Sequence, residues 1–163
     1  MPHFAGRVLL SGTTAGLLMA AVLAGCARRK GYTAVQPLNA TSHWLDGGRA
    51  ARTRQVDLAH TLPGVATHLA ASIFWAGVFE AARRRGPRRP LVGDTAGVAA
   101  LAAFVDYAVV PKRLTPGWED VVGWRDIALA YAAMAIAFAA TGESSIKRLR
   151  RPHRTPLRLM KRN

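Results

Sequence analysis

The sequence predicts an all-α membrane protein, four transmembrane helices in a bundle, on three observations. Half of the 163 residues are hydrophobic, and charges vanish for about twenty residues at a time. Between these stretches the charges return as basic clusters, with Lys+Arg outnumbering Asp+Glu by 23 to 9. A crossing helix needs about 20 mostly apolar residues, because the hydrocarbon core is about 30 Å thick and each residue rises about 1.5 Å.

The first span is 8–27, which carries no charge between Arg7 and Arg28. The second is 61–82, between His60 and Arg83, interrupted by His68 and Glu80. The third is 90–111, between Arg89 and Lys112, interrupted by Asp94 and Asp106. The fourth is 121–142, whose uncharged core from Ile127 to Gly142 is only about 24 Å long. Val121, Val122 and Trp124 extend it, with Arg125 and Asp126 near the headgroups. Residues 1–142 thus form the membrane domain and 143–163 a basic tail. Core helices of a soluble bundle normally keep a polar face, and the first and fourth spans have none.

Residues 28–60 form the longest connection. Pro37 starts one short helix there, and Asp46-Gly47-Gly48 ends it. Leu38, Thr41, Trp44 and Leu45 fall on one face of that piece, with Trp44 at headgroup level. The RRRGPRRP segment at 83–90 makes a tight helical hairpin, and Thr115-Pro116-Gly117 signals a turn. The tail reads as a short helical continuation followed by a mobile end containing Pro152 and Pro156.

Composition excludes several classes. A disordered basic tail protein lacks apolar blocks. A soluble nucleic-acid-binding domain spreads its apolar residues at helix or strand spacing, and the tail has neither aromatic interleaving nor a recognition motif, so no nucleic-acid partner is expected. One cysteine excludes a disulfide scaffold within the chain. The five histidines are scattered without metal-site spacing, and no phosphate loop or nucleophile motif occurs. No enzyme activity, cofactor or metal is expected.

Lys+Arg number 1 before the first span, then 6, 5 and 3 in the connections and 8 in the tail. With both ends cytoplasmic, the inside carries 14 and the outside 9, as the positive-inside rule requires. The hairpin and tail then face the anionic inner leaflet of a bacterial inner membrane, each basic residue contributing about 1 kcal/mol of attraction.

Leu23-Ala24-Gly25-Cys26 looks like a lipoprotein cleavage motif, which would make Cys26 a lipidated first residue. The three basic residues that follow it oppose export, so the first span is expected to be retained. Gly12 and Gly16 begin a small-residue stripe that continues to Ala20 and Ala24, suited to close packing against another span or a second copy.

An ionisable group within a span is a functional candidate by default. Glu80 and Asp94 lie near the span ends, where Arg84 and Arg88–Arg89 can pair with them. His68 and Asp106 lie deeper. Folding the chain about residue 87 sets them opposite each other, on a seam with Ala71–Ala103, Trp75–Ala99 and Phe79–Thr95. They are the candidate intramembrane polar pair. The competing seam joins Phe74–Ala100, Gly77–Gly97 and Glu80–Asp94.

Three stretches, ATSHWL at 40–45, THLAASIFWAGVFE at 67–80 and DYAVVPKRLTPGWE at 106–119, together resemble an uncharacterised family of small four-span bacterial inner-membrane proteins. The resemblance covers roughly residues 35–140 in order and implies a membrane location, with no activity attached. The expected function is structural or accessory, through the bilayer, a second copy or a membrane-protein partner. The alternative is a small transporter or proton-coupled permease using His68 and Asp106.

Overall fold

The computed structural model describes residues 4–85 and 90–149, and every regular element among them is helical. Four helices are long: α1 (Phe4–Arg29), α5 (Thr61–Arg85), α6 (Leu91–Phe104) and α7 (Trp124–Leu149). Between α1 and α5 lie three short ones, α2 (Gln36–Ala40), α3 (His43–Asp46) and α4 (Arg49–Arg52). α6 runs on into one π-helical turn, Val105–Val109, closed by the Val110 N–H on the Val105 carbonyl at 3.0 Å. Three helical stretches are long and apolar enough to cross a membrane: Phe4–Arg29, Thr61–Arg84 and Leu91–Val109. α7 has 26 residues, but its uncharged stretch is confined to 127–142.

α1 is the central packing element. Its buried residues, Ser11, Gly12, Ala15, Gly16, Met19, Leu23 and Cys26, recur every three or four positions. Gly12 meets α5 so closely that a Cβ there would lie 2.6 Å from Ile73 Cα, and one on Gly16 would press on Leu69 and Ser72. The small-residue stripe therefore serves packing within the chain. α1 also packs along α7, and α7 carries α6. Phe79 and Phe138 stack between α5 and α7 with centroids 4.8 Å apart.

α5 and α6, though consecutive, share less contact than α1–α5, α1–α7 or α6–α7. This corrects the hairpin seam read from the sequence: His68 and Asp106, which that seam joins, bond to α1 and α7 instead. Close approach decides it. Gly12 and Gly16 draw α5 onto α1, whereas Gly93 and Gly97 of α6 have open space where a Cβ would stand.

The starts of α1 and α6 converge with the ends of α5 and α7. Arg7 meets Glu80, Ser11 meets Thr141, and Arg83 meets Asp94. α1 and α5, and α6 and α7, are thus antiparallel pairs.

The long connection is more structured than one short helix. Thr41 and Ser42 send their hydroxyls back to the Pro37 and Asn39 carbonyls at 3.1 and 2.7 Å, which offers the backbone an alternative to continuing α2. α3 follows and ends at Gly47, where φ is +70°. Two buried amides hold the connection together. Gln36 accepts the Thr33 N–H and donates to the Ala51 carbonyl. Asn39 donates to the Thr53 and Gln55 carbonyls and accepts the Thr61 hydroxyl at 2.7 Å. The start of α5 rests on α2 at Gly64, where any Cβ would collide with the Leu38 carbonyl.

α7 starts three residues later than the span read from the sequence. Val121 and Val122 are buried but lie ahead of the helix. Asp126 reaches back to the Gly123 N–H at 3.1 Å, a cap that fixes the helix start. The hairpin tip at 86–89 and the tail from 150 lie outside the described residues.

Candidate functional site

Where the long connection closes over the helices there is a partly open cavity of about 270 Å³. Three of its lining residues, Met19, Tyr131 and Met134, come from α1 and α7. All the others come from the three stretches singled out in the sequence. The first stretch contributes Thr41 and Trp44; the second contributes Thr67, His68, Ala71, Ser72 and Trp75. The third supplies Asp106 and the turn at Leu114–Pro116 and Trp118.

Trp118 organises the wall. It is buried, its indole N–H donates to the Thr41 hydroxyl at 3.0 Å, and its ring meets those of His68 and Tyr131 at 5.7 and 5.9 Å. The preceding turn makes this position reachable. Gly117 adopts φ +75°, ψ +3°, and its Cα passes so close to α2 and α3 that a Cβ would sit 2.6 Å from the Ala40 carbonyl oxygen and from His43 Nδ1. Both the left-handed conformation and the contact demand glycine there.

His68 is buried, and its Nε2 lies 2.8 Å from the Gly16 carbonyl. A carbonyl only accepts, so Nε2 carries the proton and Nδ1 is the acceptor of the neutral ring. Ser72 caps the same turn by donating to the His68 carbonyl at 2.8 Å. Asp106, on the π turn, is half-buried and accepts the Tyr131 hydroxyl at 2.6 Å. The two sequence candidates thus share one cavity but have separate partners. Tyr131 and Trp118 were not singled out by sequence reasoning. The one available signal was their polar tips, a phenol inside the apolar run of α7 and an indole after Pro-Gly.

At the opposite end, Glu80 is 1% exposed and pairs with Arg7 at 2.6 Å, while the Ser11 hydroxyl lies 3.4 Å from its other oxygen. This corrects the expected Glu80–Arg84 pair: Arg84 instead places its guanidinium 4.4 Å from the centre of the Phe4 ring. Asp94 pairs with Arg83 at 2.7 Å; its expected partners Arg88 and Arg89 lie outside the described residues. Cys26 is buried within the continuous α1.

A third polar cluster lies in the long connection. His60 stands between Asp46, 2.8 Å from Nε2, and Asp57, 2.9 Å from Nδ1. The hydrogen bond to Asp57, then the one to Asp46, hold the imidazole above its ordinary pKa. The same contact with His60 holds the Asp57 carboxyl below its ordinary value. Among the described residues no group of three or more His, Cys, Asp or Glu side chains could hold a metal ion.

Fold and site together define an all-helical protein with three helices suited to crossing a membrane and an aromatic cavity beneath a structured loop. No protein-family model, curated protein or solved structure matches the chain.

Proposed function

We propose that the chain is a bacterial inner-membrane protein that crosses the bilayer four times, and that its role is structural or accessory. One observation carries the accessory reading: the ionisable groups within the apolar helices are engaged with other helices of the same chain. His68 bonds to Gly16, Asp106 to Tyr131 and Glu80 to Arg7. Polar groups used in this way hold helices together in lipid.

α7 is the fourth span in this reading. Trp124 is largely exposed at its start, beside Arg125, an arrangement suited to the headgroup region. Both termini and residues 83–90 are cytoplasmic, facing the anionic leaflet. Three of the basic residues left outside are engaged within the chain. Lys30 pairs with Asp126 at 2.6 Å, Arg54 donates to the Gly31 carbonyl, and Arg113 donates to the Trp44 carbonyl. Reporter fusions after Arg89 and after Asn163 should both read as cytoplasmic, and a periplasmic signal at either refutes the orientation. The first span is retained with Cys26 unlipidated, so intact mass should carry no diacylglyceryl adduct.

The second reading, a small transporter, is favoured by the one cavity that His68 and Asp106 share. Proteoliposomes discriminate. If the role is accessory, an imposed pH gradient decays equally with the native chain, Asp106→Asn and empty vesicles. Decay that depends on Asp106 would replace the accessory reading with the transporter.

A further inference from the structure

We propose that the cavity beneath the Trp118 turn binds a small organic cation, an ammonium group on a compact apolar body. The proposal concerns binding alone and holds whether the protein is an accessory factor or a transporter.

The wall's chemistry selects the charge. Among the described residues no Lys or Arg lines this cavity. Its one acidic residue is Asp106, which no Lys or Arg pairs with among the described residues. One Asp106 oxygen accepts the Tyr131 hydroxyl. A carboxylate set in aromatic walls without a counter-ion is a costly arrangement, and a cationic ligand relieves it. Trp75, Trp118 and Tyr131 line the same space, and aromatic faces attract ammonium groups electrostatically. His68 adds an acceptor: its Nε2 proton is committed to Gly16, which leaves Nδ1 able to take an N–H.

The same features disfavour other occupants. An anion meets Asp106 and finds no basic side chain among the described residues. A metal ion meets one carboxylate and one imidazole, too few ligands for a closed site. A neutral hydrocarbon brings the carboxylate no counter-ion. The volume, about 270 Å³, is at the small end for ligand sites, which limits the body to about one ring or a short branched chain.

The amine could be a free molecule or the headgroup of a phosphatidylethanolamine, and the test separates the two. The purified full chain in dodecyl maltoside is titrated with benzyltrimethylammonium and with its neutral carbon isostere, neopentylbenzene, read by tryptophan fluorescence. The cation should bind saturably and at least tenfold tighter than the isostere. Asp106→Asn, whose amide oxygen can still accept the Tyr131 hydroxyl, should cost the cation at least tenfold and leave the isostere unchanged. The native-chain comparison stands even if that variant fails to fold. In phosphatidylglycerol nanodiscs, weaker binding on adding phosphatidylethanolamine identifies the lipid amine as occupant. Unchanged binding identifies a free amine. Equal affinity for cation and isostere, no effect of Asp106→Asn in a folded protein, or no saturable binding overturns the proposal.

Discussion

Replacing Gly117 by alanine tests how the cavity is closed. Gly117 sits at φ +75°, a conformation that costs an L-residue about 1–2 kcal/mol. The added methyl would also stand 2.6 Å from the Ala40 oxygen and 2.6 Å from His43 Nδ1. Neither neighbour is the end of a flexible chain: one is backbone, and the other is a rigid ring whose Nδ1 already lies 3.1 Å from the Ala40 carbonyl oxygen. The turn must therefore back away, and overpacking of this kind costs about 1–3 kcal/mol. The two effects together come to about 2–5 kcal/mol. At about 2–4 °C per kcal/mol for a chain of this size, the unfolding midpoint in detergent should fall by roughly 4–20 °C. Trp118 would move with the turn, away from Thr41, so its fluorescence should shift to longer wavelength in the still-folded variant. Gly31→Ala is the internal control. Its φ is +81°, but nothing lies within 4 Å of the added methyl, so it carries the conformational cost alone. If Gly117→Ala lowers the midpoint no more than Gly31→Ala does, the close approach to α2 and α3 is not real.

Three further outcomes follow from the same geometry. Glu80→Ala leaves Arg7, whose side chain is a quarter exposed, without its carboxylate and should cost about 1–3 kcal/mol in chemical unfolding. The double variant with Arg7→Met should recover part of that loss, and strict additivity would show that the pair is not coupled. Gly12→Ala should destabilise by about 1–3 kcal/mol because its methyl meets the Ile73 backbone. Gly97→Ala meets nothing and should be neutral or stabilising by up to about 1 kcal/mol, and equal effects would contradict the packing order of the helices. For the long connection, the raised His60 pKa gives a contribution fully present below about pH 6.5 and lost as pH rises through the raised value. The lowered Asp57 pKa gives one present above about pH 3.9 and lost as pH falls through the lowered value. After correction for intrinsic exchange rates, amide hydrogen exchange around Ala59–Thr61 should be slowest between those limits. A profile that His60→Gln leaves unchanged would refute the bridge.

What the sequence made legible were features that depend on composition along the chain. Long apolar stretches with few or no charges locate α1, α5 and the Leu91–Val109 helix to within a few residues, because a charge in lipid is costly. The long connection was less legible. Its helix breaks at Thr41 and Ser42 through side-chain bonds to carbonyls of the preceding turn, and those residue types are equally at home in a helix cap or a loop. Asn39 and Gln36 gave no signal, because the carbonyls they bind, from Ala51 to Gln55, are brought there only by the folded chain.

The site was legible in its residues and illegible in its bonds. Depth along a helix follows from counting, which puts His68 and Asp106 near the same level, and both line one cavity. Which side chain each one bonds depends on rotation about the helix axis and on which helices are neighbours, and neither is set by depth. A short hairpin makes two helices antiparallel without making them the tightest pair. Here Gly12 and Gly16 pull α5 onto α1, and the His68 ring follows, reaching the Gly16 carbonyl. The π turn adds a local effect: one extra residue per turn changes the direction in which Asp106 leaves α6, and Tyr131 of α7 takes it up. The glycines of the small-residue stripe are therefore what separates the two polar groups. That separation leaves a cavity between them, where a direct His68–Asp106 bond would have filled it.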